Sequence, residues 1–84
     1  MQGLYFNMTH LNFTEGFSKT GKTKIIQVNS NYDKTWLGYI HWLGRWRQYV
    51  FTPSGEEIVF SWDCLEELKN KIVELNKERK NEIN

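Results

Sequence analysis

Three groups of residues in this chain have types and spacing that could do chemistry. These are the histidines with the lone cysteine, a Gly-Lys-Thr run, and a band of aromatic and basic side chains. The histidines stand at positions 10 and 41 and the cysteine at 64. A nucleophile needs a base within hydrogen-bond reach, and zinc needs a cluster of nitrogen, sulfur or carboxylate ligands. Spacings this wide supply neither. His41 sits among aromatics in a strand-like run, and Cys64, next to Leu65, reads as a small core residue rather than an activated thiol. The carboxylate pairs Glu56-Glu57 and Glu66-Glu67 fall in a turn and in the first turn of a helix, where local structure accounts for them. The expectation is a protein that is not an enzyme, with no cofactor and no metal.

Residues 16–23 read GFSKTGKT, which satisfies the phosphate-binding P-loop pattern letter for letter. The pattern works only between a strand and a helix, where backbone N–H groups and the helix N-terminus cradle a phosphate. Here the following KIIQVN is strand-forming, and too little chain remains for a parallel sheet. Thr20-Gly21 is therefore expected to be a turn with solvated lysines beside it.

The remaining signal is the band at residues 36–53, WLGYIHWLGRWRQYVFTP, with three of the four tryptophans, two tyrosines, His41, Arg45 and Arg47. Two extended segments, 36–43 and 46–52, joined through Gly44-Arg45, form a hairpin signal. Alternation puts Trp36, Gly38, Ile40 and Trp42 on one face and Leu37, Tyr39, His41 and Leu43 on the other. In the second segment it sets Arg47, Tyr49 and Phe51 against Trp46, Gln48 and Val50. Neither face is cleanly polar, so one face either buries itself or meets a partner. Gly38 is expected to mark a bulge or to make room for a large neighbour. Tyr39, His41, Arg45, Trp46 and Arg47, with Lys24 nearby, form the candidate binding set. Aromatics interleaved with cations suit single-stranded bases, and the same residue types make protein hot spots.

Charge supports an anionic partner. Net charge is +1, but residues 16–52 carry six basic side chains against Asp33 alone, a balance of +5, while residues 53–84 stand at −3. On this reading the sheet half is basic and the helix half acidic. Eighty-four residues make one domain, near the lower size for a self-sufficient core. A single cysteine suggests a reducing compartment. The sequence contains no transmembrane run, and the first fifteen residues carry no signal-peptide pattern, so a cytoplasmic location is expected, with no membrane partner.

The elements that must position the candidate set follow. Residues 1–12 are expected to be a loose tail, with 1–8 set aside as resembling an appended linker, and residues 13–84 to be a single small α+β domain. Residues 24–29 form a strand, 29–34 a polar turn, and 58–60 a short strand or an extended helix entry. A helix is expected over 63–80, with Asp63 and Glu66 as a capping box and Ser61 as the rival cap. Leu65, Leu68, Ile72 and Leu75 form its apolar stripe, and Lys77, Arg79 and Lys80 suit its C-terminal dipole. The fold class is an α+β antiparallel β-meander of three to four strands, packed by one long C-terminal helix. That stripe should meet Ile26, Ile40, Trp42, Tyr49 and Phe51. A cover for the other face by Phe13 and Phe17, or a dimer through that face or an edge, stays open.

The pattern Leu37, Gly38, Ile40, Trp42, then Trp46, Arg47, Tyr49, Phe51, Pro53, then Phe60, Cys64 and Leu65 resembles a family of short uncharacterised proteins of phages and bacterial mobile elements. The resemblance covers about the C-terminal two thirds of the chain. It implies a small accessory protein acting in the host cytoplasm, and it assigns no activity and no site residues. The expected function is non-catalytic binding of nucleic acid, single-stranded by preference, through a basic aromatic sheet face. The alternative is an inhibitor or adaptor that docks the same patch on a host protein.

Overall fold

The computed structural model describes residues 10–83, with side chains through Lys80. Four strands, β1 (Leu11–Phe17), β2 (Lys24–Ser30), β3 (Trp36–Leu43) and β4 (Gln48–Pro53), pair in chain order as an antiparallel meander, followed by helix α1 (Trp62–Ile83). Alternation decides which face is buried. Leu11 and Phe13, Ile26 and Val28, Ile40 and Trp42, and Tyr49 and Phe51 all point to the side that α1 covers. Ile26, Val28 and Ile40 lose all contact with solvent there, and Leu68 and Leu75 close the core from the helix. The buried Tyr49 keeps its hydroxyl satisfied by accepting from the Lys24 backbone N–H at 3.0 Å.

Several expectations are corrected. Leu11 is buried in the core and pairs with Ser30, so the domain begins inside the stretch read as tail; residues 1–8 lie outside those described. The first strand, Leu11–Phe17, is a full member of the sheet, and Phe13 packs on the helix side instead of covering the opposite face. Leu37 joins the core, against the alternation, because β3 has one extra residue here. Val28 pairs with Gly38 and Asn29 with Trp36, leaving Leu37 as a bulge. Gly38 serves that bulge as expected: its φ is 151°, and a Cβ would stand 2.7 Å from the Phe51 ring and collide with the Thr52 carbonyl oxygen.

The helix differs at its start. Ser61, not Asp63, is the cap: its hydroxyl accepts from the Cys64 N–H at 3.3 Å, and the Leu65 N–H bonds to its carbonyl at 3.0 Å. Beginning at Trp62, α1 turns Cys64, Leu68, Ile72 and Leu75 inward and leaves Leu65 51% exposed. Residues 58–60 form the extended entry rather than a strand, with Phe60 edge-on to Phe51 at 5.6 Å. The helix crosses the sheet on a diagonal. Its first half is tied to β1 through Glu67 and Lys71, and its second to β4, β3 and β2 through Asn76, Arg79 and Glu78. No helix among the described residues is long and apolar enough to cross a membrane.

Candidate nucleic-acid interface

The meander sets where charge collects. β1 and β3 run one way and β2 and β4 the other, so the β1–β2 and β3–β4 turns share one end of the sheet. The β2–β3 turn lies at the opposite end. Helix α1 follows β4 and returns antiparallel to it, which brings its C-terminal half to the first end. Two contacts fix this arrangement. The Arg79 Nη1 donates to the Lys22 carbonyl at 3.1 Å, and Lys24 Nζ meets Glu78 at 3.1 Å. Lys19, Lys22, Arg45, Arg47, Lys77, Arg79 and Lys80 thus gather at one end, around turns that carry no acid. Asp33, Glu56, Glu57, Asp63 and Glu66 occupy the other, with Lys34 beside them, and Glu78 stands among the cations of the first. The excess of each charge thus follows the two ends of the molecule more closely than sheet and helix.

This geometry splits the predicted binding residues. Tyr39 and His41 share the outer sheet face, with ring centroids 4.9 Å apart and tilted by 36°. His41 Nε2 lies 2.9 Å from the Thr52 hydroxyl. Around them the outward positions of the four strands, including Thr14, Ile25, Gln27, Leu43, Gln48 and Val50, carry no carboxylate, ammonium or guanidinium group. The expectation of a basic sheet face is therefore corrected.

Arg45, Trp46 and Arg47 are not strand residues. Leu43 pairs directly with Gln48, which leaves residues 44–47 as a hairpin loop. Two N–H groups, of Trp46 and Arg47, bond back to the Leu43 carbonyl at 3.1 and 2.9 Å. Arg47 closes the loop with φ 56°, a left-handed conformation that glycine or asparagine adopts with less strain. Trp46 is lifted off the sheet at the tip, 61% exposed. Lys24 lies on the helix side, bridged to Glu78 and, at 3.7 Å, to Glu15, so its charge is already partnered.

An open cleft of about 690 Å³ at the basic end joins Arg47, from the predicted binding set, to Trp42, expected only as core, and to residues expected to serve the helix dipole or no site at all. Its walls are Arg47 and Gln48 from the hairpin, Trp42 from β3, and Asn76, Arg79 and Lys80 from α1. The Arg79 guanidinium lies 5.1 Å from the centre of the Trp42 ring, a cation–π arrangement that fixes its plane. Its Nε is shut off from water with no acceptor; a buried donor left so costs about 1–3 kcal/mol. Asn76 Oδ1 accepts from the Tyr49 N–H at 2.8 Å, which pins the helix to the edge strand.

The other candidate chemistries dissolve into local structure. Gly16 lies inside β1 and residues 18–23 form the hairpin turn into β2, so the Gly-Lys-Thr run has no helix behind it. His10 is held by Glu67 at 2.7 Å, and that carboxylate also accepts from the His10 and Leu11 backbone N–H groups. Among the described residues no group of three or more His, Cys, Asp or Glu side chains is placed to hold a metal ion. No protein-family model, curated protein or solved structure matches this chain.

Proposed function

We propose that this protein is a non-catalytic binding module of phage or mobile-element type that holds single-stranded nucleic acid against its basic loop end. The observation that carries the reading is the convergence of two hairpin turns and the helix C-terminal half, with their lysines and arginines, beside exposed rings. Phosphates along a strand are met by cations spread over an end of this kind, and each contact releases condensed counterions. Trp46 at its loop tip and Phe17, 67% exposed beside the other turn, can stack on bases only where those bases are unpaired. That requirement favours a single strand over a duplex.

Tryptophan fluorescence titration with oligothymidylate at low and physiological salt tests the proposal. Saturable quenching that weakens steeply with salt, and is reduced in Trp46→Ala, is the expected result. Absence of quenching at low salt would overturn it. One observation favours the second reading, a host-protein partner: the outer sheet face is uncharged around Tyr39 and His41. Binding there would show little dependence on salt and would survive changes at the loop end.

A further inference from the structure

The cleft between the β3–β4 hairpin and α1 is shaped for more than a passing backbone. We infer that it is a subsite for a phosphomonoester, supplied either by the terminal phosphate of a strand or by a free mononucleotide. This deepens the reading above, on which only its strand-end source rests.

Three cations, Arg47, Arg79 and Lys80, line a single cleft from two different elements, and among the described residues no carboxylate lines it. An internal phosphodiester carries one negative charge, whereas a terminal phosphomonoester carries nearly two at neutral pH. Three converging cations therefore match the end of a strand better than its middle. The Arg79 guanidinium is held ready by Trp42 and by the Lys22 carbonyl, so little side-chain freedom is lost when it meets an anion. The Asn76 amide adds a neutral donor on the same walls. The cleft volume, about 690 Å³, falls within the range of small-ligand sites. The negative pole of α1 opposes an anion here, but it amounts to about half a charge. Three cations outweigh it.

The test compares oligothymidylates bearing a 5′-phosphate, a 3′-phosphate or neither, together with thymidine 5′-monophosphate, titrated into the full chain and into Arg47→Gly and Lys80→Gln. Arg47→Gly is informative because glycine relaxes the φ 56° position while removing the guanidinium, so the fold should be kept. Circular dichroism melting confirms that. The expected result is roughly tenfold tighter binding of one phosphorylated end than of the unphosphorylated strand, the scale of one added charge-assisted hydrogen bond. Both variants should lose that preference. Equal affinity for all strands, with salt-sensitive binding kept and no binding of the monophosphate, would overturn the subsite and leave the nucleic-acid reading standing. Binding of the monophosphate but of no strand would keep the subsite and overturn that reading. A preference unchanged in both variants would place the phosphate elsewhere and sink the inference.

Discussion

The two ends of this molecule are built from the same parts, turns of a meander plus one half of a helix, yet they differ in charge and in how their side chains are used. At the acidic end carboxylates are spent on structure. Glu67 gathers the His10 and Leu11 N–H groups and the His10 ring, and the Asp33 carboxylate accepts from the Thr35 N–H at 3.1 Å. A smaller hollow, about 360 Å³, opens there, lined by mixed groups including His10, Asp33, Glu57 and Cys64. At the basic end Lys24 is bridged to carboxylates, while Arg47, Arg79 and Lys80 line an open cleft. Part of the segregation follows from elementary rules. Helices favour acids first and bases last, and a helix returning antiparallel to β4 puts its last turns beside the β3–β4 hairpin. The turn lysines and arginines are not required by those rules. Their placement separates the proposed binding end from a structural one.

Substitutions at the two ends probe that contrast, in order of decreasing effect. Leu75→Ala removes a fully buried side chain that seats the basic end of α1 on the sheet. It should cost about 2–5 kcal/mol in denaturant unfolding and weaken oligonucleotide binding with it. Leu68→Ala, nearer the acidic end, should cost a similar amount while the residual folded protein binds normally. Glu67→Gln should cost about 1.5–3 kcal/mol, because one carboxylate serves several donors at once, and should leave binding unchanged. Neutralising Arg45 to Gln should leave the melting temperature unchanged and lower the slope of log affinity against log salt by about 0.7, one phosphate on a single strand. The matched change Glu57→Gln at the far end should leave that slope alone.

The smallest effect concerns Asp33, whose carboxyl is held below the usual carboxylate range by the Thr35 side chain first and the Thr35 backbone second. A lowered folded-state pKa favours the folded protein at pH above the ordinary value of 3.8 and is lost as pH falls through the depressed value. The difference in melting temperature between the parent and Asp33→Asn should therefore hold steady near neutral pH and shrink in acid below that value. The group is fully exposed, so the difference should be slight.

Much of the architecture was legible. The period of residues 24–29 and 36–43 and the 3.6-residue stripe of the helix gave the fold class and the correct buried face, and Gly38 gave the crowded bulge. The errors have physical causes. β1 was hidden because Glu15 interrupts the alternation of Leu11, Phe13 and Phe17, and Gly16 lowers the strand propensity; its strand character comes from pairing with β2, not from its own composition. The hairpin loop was misread because Arg47 occupies a left-handed position that glycine usually announces, so Trp46 and Arg47 looked like strand. Ser61 won the cap over Asp63 because the helix starts one residue earlier, a difference local patterns resolve poorly. The candidate site fared worst. Charge was counted along the chain, where it divides into a basic sheet and an acidic helix. An antiparallel fold mixes such blocks, and only the direction of each element shows which charges end up together.

On the proposed reading the turn and helix-end cations, not the outer sheet face, meet nucleic acid. Amide chemical-shift mapping by two-dimensional NMR during titration with oligothymidylate tests it most directly. The expected shifts follow occupancy at Lys19 and Lys22, through residues 44–48 and over residues 76–80, with Gln27, Tyr39, Thr52 and the turn at Asp33 unmoved. Shifts centred on Tyr39, His41, Val50 and Thr52, with the hairpin and the helix end silent, would contradict it.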